Sequence, residues 1–274
     1  MRNDRLPFLP QPFGGASKFP FLDFGDGGDL CRVRVGDIQM NTEIEMFLVH
    51  GIREDNEVEK TYTPFVEAIR KRLPISFNVN FHPINWNYLV YEKEKQVYEW
   101  VKDLGWPKLR QFACFNLCDV LAYAPPEGAP HPGDFYYDAN KLLQDKFDEI
   151  SAAHPKSKKV IFSHSMGTQI SFSFSWKREV DLLFTAGSPI LYFSVRFKNF
   201  GKFPDATLKK MINFWKYGDP VCGAISRNPA LKKCQDVRIE SWNPLNSLPL
   251  RAHQIYWSHP KVHDRVAAEL LALK

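Results

Sequence analysis

The residues with the strongest claim to chemistry lie in Ser163-His164-Ser165-Met166-Gly167. A short apolar, β-branched run, Val160-Ile161-Phe162, precedes them and reads as a buried strand. From Thr168 to Trp176 the pattern turns helical. A strand, a sharp turn with serine at its apex, and a helix form the arrangement that presents a serine hydroxyl as a nucleophile. Such a turn strains the serine backbone, so only small residues fit two places before and after it. Ser163 and Gly167 are small. Acyl transfer at Ser165 then needs three further things. A base must take the hydroxyl proton, an acid must orient that base, and N–H donors must meet the developing oxyanion.

These groups have to be held by a scaffold, and its elements are legible. Residues 45 to 52 read as a buried strand ending in His50-Gly51. A helix is expected from Thr63 to Leu73, with Pro64 near its first turn and Pro74 as its stop. Ile75 to Phe81 alternates like a strand, and Asp138 to Ala153 is amphipathic with helical spacing. Further strands are expected over Val180–Pro189, Met211–Tyr217 and Val237–Trp242, and a closing helix from Pro260 to Leu273. Alternating strands and helices predict an α/β domain with a mostly parallel central sheet and helices on both faces. Residues 1–30 are rich in Pro, Phe and Gly and read as an arm without regular structure. Its aromatics set it apart from freely disordered chain. It is expected to lie on the body of the protein or on a neighbouring subunit, as in a homo-oligomer joined through the arm. The domain proper is then 31–274, opening with short strands at Cys31–Val35 and Ile38–Met40. Within it, residues 86–118 carry Tyr91, Tyr98, Val101 and Leu104 at helical spacing, a break at Gly105-Trp106-Pro107, and a second apolar piece. This region reads either as a pair of core helices or as an inserted helical cap.

The serine turn, the strand ending in His50-Gly51, and the segment His253-Gln254-Ile255-Tyr256-Trp257 together resemble the α/β-hydrolase superfamily, in particular its lipase and esterase branches. The resemblance runs through several short motifs over roughly residues 45 to 274. Ser163 departs from the glycine common at that place. Asp119-Val120-Leu121-Ala122-Tyr123 resembles a segment of some bacterial lipase-like members. What the resemblance implies is the α/β-hydrolase fold with a cap over the site, and a triad in the order serine, acid, histidine. The acid should follow a late strand. Asp219, in Gly218-Asp219-Pro220 directly after the strand at 211–217, fits that place, although Asp beside Gly and Pro is also ordinary turn chemistry. Asp181 and Asp236 begin or precede strands and would lie at the wrong edge of the sheet. The histidine should come from the loop before the last helix. His253 is favoured there over His259, which sits beside Pro260, and over His263, which is expected on the surface face of the helix. The oxyanion donors implied are the backbone N–H of Met166 and that of Gly51 or Ile52. The reaction implied is hydrolysis of a carboxylic ester through an acyl-enzyme, with a small-molecule ester or a lipid as substrate.

Composition narrows the rest. The chain has 274 residues, 44% hydrophobic and 24% charged, with a formal charge of +5. The basic residues are scattered rather than striped, which argues against nucleic acid as a partner. The five cysteines form no C-x-x-C pair, so reduced thiols and a cytoplasmic setting are expected. The first residues lack the apolar run of a signal peptide, and no apolar stretch approaches membrane-spanning length. No cofactor is expected, since Gly25-x-Gly27-Gly28 neither follows a strand nor opens a helix. No metal-ligand spacing is legible. Two other classes stay open: a lipase or phospholipase acting on membrane lipids, and a non-catalytic binding protein on the same fold.

Overall fold

The computed structural model describes residues 43–51, 58–89, 131–196, 200–240 and 249–273, together with 95, 96, 98–100, 103 and 123. The arm at 1–30, the strands expected at 31–35 and 38–40, Ile52, Asp119 to Ala122 and most of 86–118 lie outside the described residues. All described residues belong to the unit Met40–Lys274.

Six strands form one sheet: β1 (Ile44–Val49), β2 (Val79–Ile84), β3 (Lys158–His164), β4 (Leu182–Ala186), β5 (Met211–Lys216) and β6 (Gln235–Ile239). Their order is β2-β1-β3-β4-β5-β6, and every neighbouring pair is parallel. The parallel α/β architecture expected from the sequence is what the chain adopts. Parallel pairing needs crossovers, and these are supplied by α1 (Val58–Arg70), α2 (Phe135–Ala153), α3 (Gly167–Phe174) and α4 (Ile190–Arg196), while β5 reaches β6 through the 3-10 turns Ile225–Arg227 and Pro229–Leu231 and α6 (Pro260–Leu271) closes the chain after β6. A short α5 (Pro249–Gln254) runs into a single 3-10 turn, Ile255–Trp257.

The period of two along each strand sorts side chains into two cores. Phe47 and Val49 of β1 and Ile161 of β3 face one side and pack with Leu143 and Phe147 of α2 and Ile170 and Phe174 of α3. Met46 and Leu48 of β1 and Val160 and Phe162 of β3 face the other, against Phe65 and Ile69 of α1 and Val262, Val266 and Leu270 of α6. Strands covered on both faces read as continuous apolar runs, which is why the central strands were the clearest elements in the sequence.

The edges of elements moved. α1 starts at Val58, so Pro64 lies inside it rather than near its start. Tyr62, Phe65 and Ile69 provide the buried face that holds the helix together across the proline, whose ring removes one helical N–H donor. The strand expected from Ile75 begins only at Val79, and Ile75 is fully exposed. Alternation continued backwards from β2 into chain that turns away from β1, where the Phe77 N–H donates to the Pro74 carbonyl at 2.8 Å. Trp86, the first residue of the 86–118 range, is core: it is fully buried, and its indole N–H donates to the His50 carbonyl at 2.9 Å.

Phe162 sits at the centre of the α1/α6 core, its ring 4.6 Å from Phe65, 4.9 Å from Trp257 and 6.1 Å from Phe184. Phe162→Ala should cost about 3–5 kcal/mol of unfolding free energy, because the surrounding rings cannot collapse into the space. Urea denaturation reads this directly as a lower midpoint at unchanged slope.

Candidate active site

Because all six strands are parallel, their carboxyl ends share one edge of the sheet. β1 runs there into His50-Gly51, β3 into Ser165, β4 into Gly187 and β5 into the Asp219 turn. Ser165 has φ +53° and is the one non-glycine residue with positive φ among the described residues. That conformation is costly for an L side chain and persists only where the surroundings fix it. Three contacts do so. The Ser165 N–H donates to the Ala186 carbonyl at 2.9 Å. Its carbonyl accepts the Thr168 N–H at 3.0 Å and the Thr168 hydroxyl at 2.6 Å. The small residues flanking the turn have separate reasons. A Cβ on Gly167 would stand 2.4 Å from the His50 carbonyl oxygen and 2.5 Å from that of Val49. Ser163 uses its hydroxyl to donate to the Phe184 carbonyl at 2.9 Å, so the residue standing in place of glycine ties β3 to β4.

Around the Ser165 hydroxyl the chain brings together residues far apart in sequence. The His253 Nε2 lies 2.8 Å from Ser165 Oγ, and its Nδ1 lies 3.1 Å from each oxygen of Asp219. With Nδ1–H donating to the carboxylate, Nε2 is left to accept the serine proton. Ser165, His253 and Asp219 are all buried. Burial alone would push the Asp219 carboxyl up. The hydrogen bond and charge of His253, the Val221 N–H and the Tyr256 hydroxyl outweigh it and hold the group below the usual carboxylate range.

Gly51 lies against the serine: a Cβ there would be 2.6 Å from Ser165 Cβ and 3.2 Å from Oγ. Met166 opens the turn into α3. The backbone of both residues therefore flanks the hydroxyl, while Ile52 lies outside the described residues. The ring of His50 stacks on Trp86 at 5.4 Å, and its Nδ1 is hydrogen-bonded to the Gly51 carbonyl, so the loop after β1 is tied on both sides.

The rivals of these residues are engaged elsewhere. Asp181, at the start of β4, accepts from Lys209 at 2.6 Å and from the Lys159 N–H at 2.9 Å, at the amino edge of the sheet. Asp236 accepts from Asn213 at 2.7 Å and from the Ile225 and Ser226 N–H groups, both at 2.9 Å. His259 caps α6, accepting the Lys261 N–H, and its other nitrogen donates to the Glu240 carbonyl at 3.0 Å. His263 was expected on the surface. It is buried, its Nε2 donates to the Trp257 carbonyl at 2.8 Å, and its ring meets Phe65 edge-on. The packing of α6 on α1 turns that face inward. His253 itself is not in a loop but in the last turn of α5.

Sequence reasoning missed several participants. Tyr256 donates to the second Asp219 oxygen at 2.8 Å. His164 Nε2 donates to the His253 carbonyl at 2.7 Å, fixing the main chain of that histidine. Gly187 has φ +59°, and a Cβ there would strike the rings of Tyr256 and His253. The signal for Tyr256 was its place three residues after His253, one helical turn on. A group that sequence spacing did not show lies at the amino edge of the sheet. Glu43, Glu45 and His154 bring ligand-type atoms within 4.8 Å of one another. Asn80 donates to both carboxylates and His154 pairs with Glu43 at 3.0 Å, so these groups satisfy one another as a hydrogen-bonded network.

No protein-family model and no curated protein matches this sequence. Among solved structures the chain is similar to a protein from Xanthomonas campestris pv. campestris assigned to the α/β superfamily of hydrolases. The identity is 16% and the TM-score 0.45, over 85% of this chain and 100% of the other. It is similar also to a cutinase-like protein from Cryptococcus sp., at 9% identity and TM-score 0.41, over 85% of this chain and 96% of the other. A Trichoderma reesei cutinase solved with a phosphonate inhibitor matches at 11% identity and TM-score 0.37, over 85% and 80% of the two chains.

The lowered Asp219 carboxyl carries a pH signature. A carboxyl depressed by folding adds stability that is fully present above the ordinary range near pH ~4 and is lost as pH falls through the depressed value. The stability difference between wild type and Asp219→Asn should therefore shrink on acidification below about pH 4. Urea unfolding of both proteins across that window measures it.

Proposed function

We propose that the chain is a serine hydrolase of the α/β-hydrolase superfamily that cleaves carboxylic esters through an acyl-enzyme. The observation that carries this reading is the hydrogen-bonded series Ser165 Oγ, His253 Nε2, His253 Nδ1 and Asp219, set on a strained turn at the carboxyl edge of the sheet. A serine hydroxyl with a neutral imidazole 2.8 Å away loses its proton as it attacks a carbonyl. Asp219 keeps the proton of His253 on Nδ1 and stabilises the imidazolium that forms. The tetrahedral oxyanion is met by the Met166 N–H and by the backbone at Gly51, and the electrostatic gain is large because the site is buried. Collapse expels the alcohol, protonated by the imidazolium. Water, deprotonated by the same imidazole, then attacks the Ser165 ester and frees the acid.

Two measurements test the reading. A fluorophosphonate probe should label wild type at Ser165, and Ser165→Ala should abolish both labelling and turnover of p-nitrophenyl esters by several orders of magnitude while the protein stays folded. His253→Ala should do nearly the same, whereas His259→Ala should leave turnover within a few-fold, because His259 is engaged as a helix cap. kcat/KM should fall on the acid side, where the imidazole is protonated. Wild type that neither labels nor turns over would identify a binding protein on this fold. Turnover confined to lipid vesicles would identify a lipase or phospholipase.

A further inference from the structure

The Asp219 carboxylate is held from three directions. His253 Nδ1–H is shared between its two oxygens at 3.1 Å each, the Val221 N–H takes Oδ1 at 2.9 Å, and the Tyr256 hydroxyl takes Oδ2 at 2.8 Å. Val221 lies two residues from Asp219 and acts within the same turn. Tyr256 is different, because it comes from the segment that carries His253. The two residues are three apart across the end of α5 and the 3-10 turn that follows, so one helical turn aims both side chains at the same carboxylate. We infer that Tyr256 is a positioning residue whose hydroxyl fixes the plane of the Asp219 carboxylate and thereby the orientation of the His253 imidazole.

The direction of the hydrogen bonds is settled by burial. The Tyr256 phenol is pushed well above its ordinary value, first by burial and then by the neighbouring Cys222 and Asp219. The Cys222 thiol, 3.2 Å from the Tyr256 oxygen, is pushed up to about 12, again first by burial. Burial therefore favours the protonated form of both groups. The one phenolic proton goes to Asp219, so the thiol donates to the phenol: Cys222 S–H to Tyr256 O–H to Asp219 Oδ2. The ring has little freedom to turn this bond away. A Cβ on Gly187 would already lie 2.9 Å from Tyr256 Cε2 and 3.1 Å from His253 Nδ1, so β4 ends in a glycine against both rings. On the far side His164 stands 5.8 Å from the Tyr256 ring and 4.9 Å from that of His253. Without the phenolic donor the carboxylate keeps the Val221 N–H and the imidazole, with the weakly donating Cys222 thiol as its neighbour. It can rotate about its Cβ–Cγ bond, and Nδ1 follows whichever oxygen it finds.

The test is Tyr256→Phe, which keeps the ring and its packing and removes one hydroxyl. The kinetic arm rests on the serine-hydrolase reading. There kcat on a soluble p-nitrophenyl ester should fall about tenfold, the scale of one hydrogen bond to a charged group, with KM unchanged. The acid limb of kcat/KM should move to higher pH, because a carboxylate relieved of one donor holds the imidazolium more strongly. The second arm needs no turnover. The low-field Nδ1–H proton NMR resonance of His253, assigned by its loss in Asp219→Asn, should shift and exchange faster with water in Tyr256→Phe. Wild type without esterase activity but with that NMR change would sink the hydrolase reading and leave the positioning role standing. A variant that melts lower yet keeps kcat, the pH profile and the His253 resonance of wild type would overturn the inference and make Tyr256 a packing residue alone.

Discussion

The backbone of Ser165 is the constraint from which the rest of the site follows. A left-handed conformation at a serine is unfavourable by itself, so the turn exists only because β3, the end of β4 and the first turn of α3 hold it at once. That grip requires close approach. α3 begins so near the end of β1 that Gly167 has no room for a side chain, and the loop after β1 passes so near the hydroxyl that Gly51 has none either. The same closeness that strains the serine delivers backbone from two different elements to its flanks. Strain and site are therefore one feature of the packing.

The parallel sheet divides the labour between its edges. At the carboxyl edge, four strands release Gly51, Ser165, Gly187 and the Asp219 turn into one neighbourhood. At the amino edge the strands begin among polar contacts: Glu43 and Glu45 are hydrogen-bonded with His154 and His82, and Asp181 forms ion pairs with Lys158 and Lys209. Buried charge at that edge is satisfied by partners within it, as burial of carboxylates requires. Between the edges lie two apolar cores that give the strands their rigidity. Ser165 and the Asp219 turn are thus anchored directly on strands packed from both faces.

His253 shows how much depends on elements remote in sequence. Its Nδ1 is oriented by the turn after β5, its Nε2 reaches the turn after β3, and its carbonyl is held by His164. The stretch that bears it is a short helix followed by a tighter 3-10 turn. That geometry lets the tyrosine one turn later address the same carboxylate as the histidine.

By itself the sequence determined the parallel α/β architecture and the place of the serine turn. Both are local signals: apolar runs covered on two faces, helical spacing between them, and small residues around one serine. It also ranked the chain positions of Asp219 and His253, since position relative to a strand or the last helix follows from element order. Tertiary structure alone decided which residues meet. Alternation could not mark where β2 begins, because pairing with β1 sets that boundary. The exposed face expected for His263 was wrong because the packing of α6 on α1 is not written in the period of either helix. Gly187 and His164 carried no signal of their own, and the spacing of Tyr256 from His253 did not say which group its hydroxyl would meet. Their roles arise from rings and carboxylate brought together over some 90 residues of chain between His164 and His253. Nor could spacing reveal the pairing of Glu43 and Glu45 with His154, which sheet registration and the end of α2 create. Local patterns fix what each segment is. Only the closed fold fixes which polar atoms share a buried volume, because that is set by burial of the whole apolar surface at once.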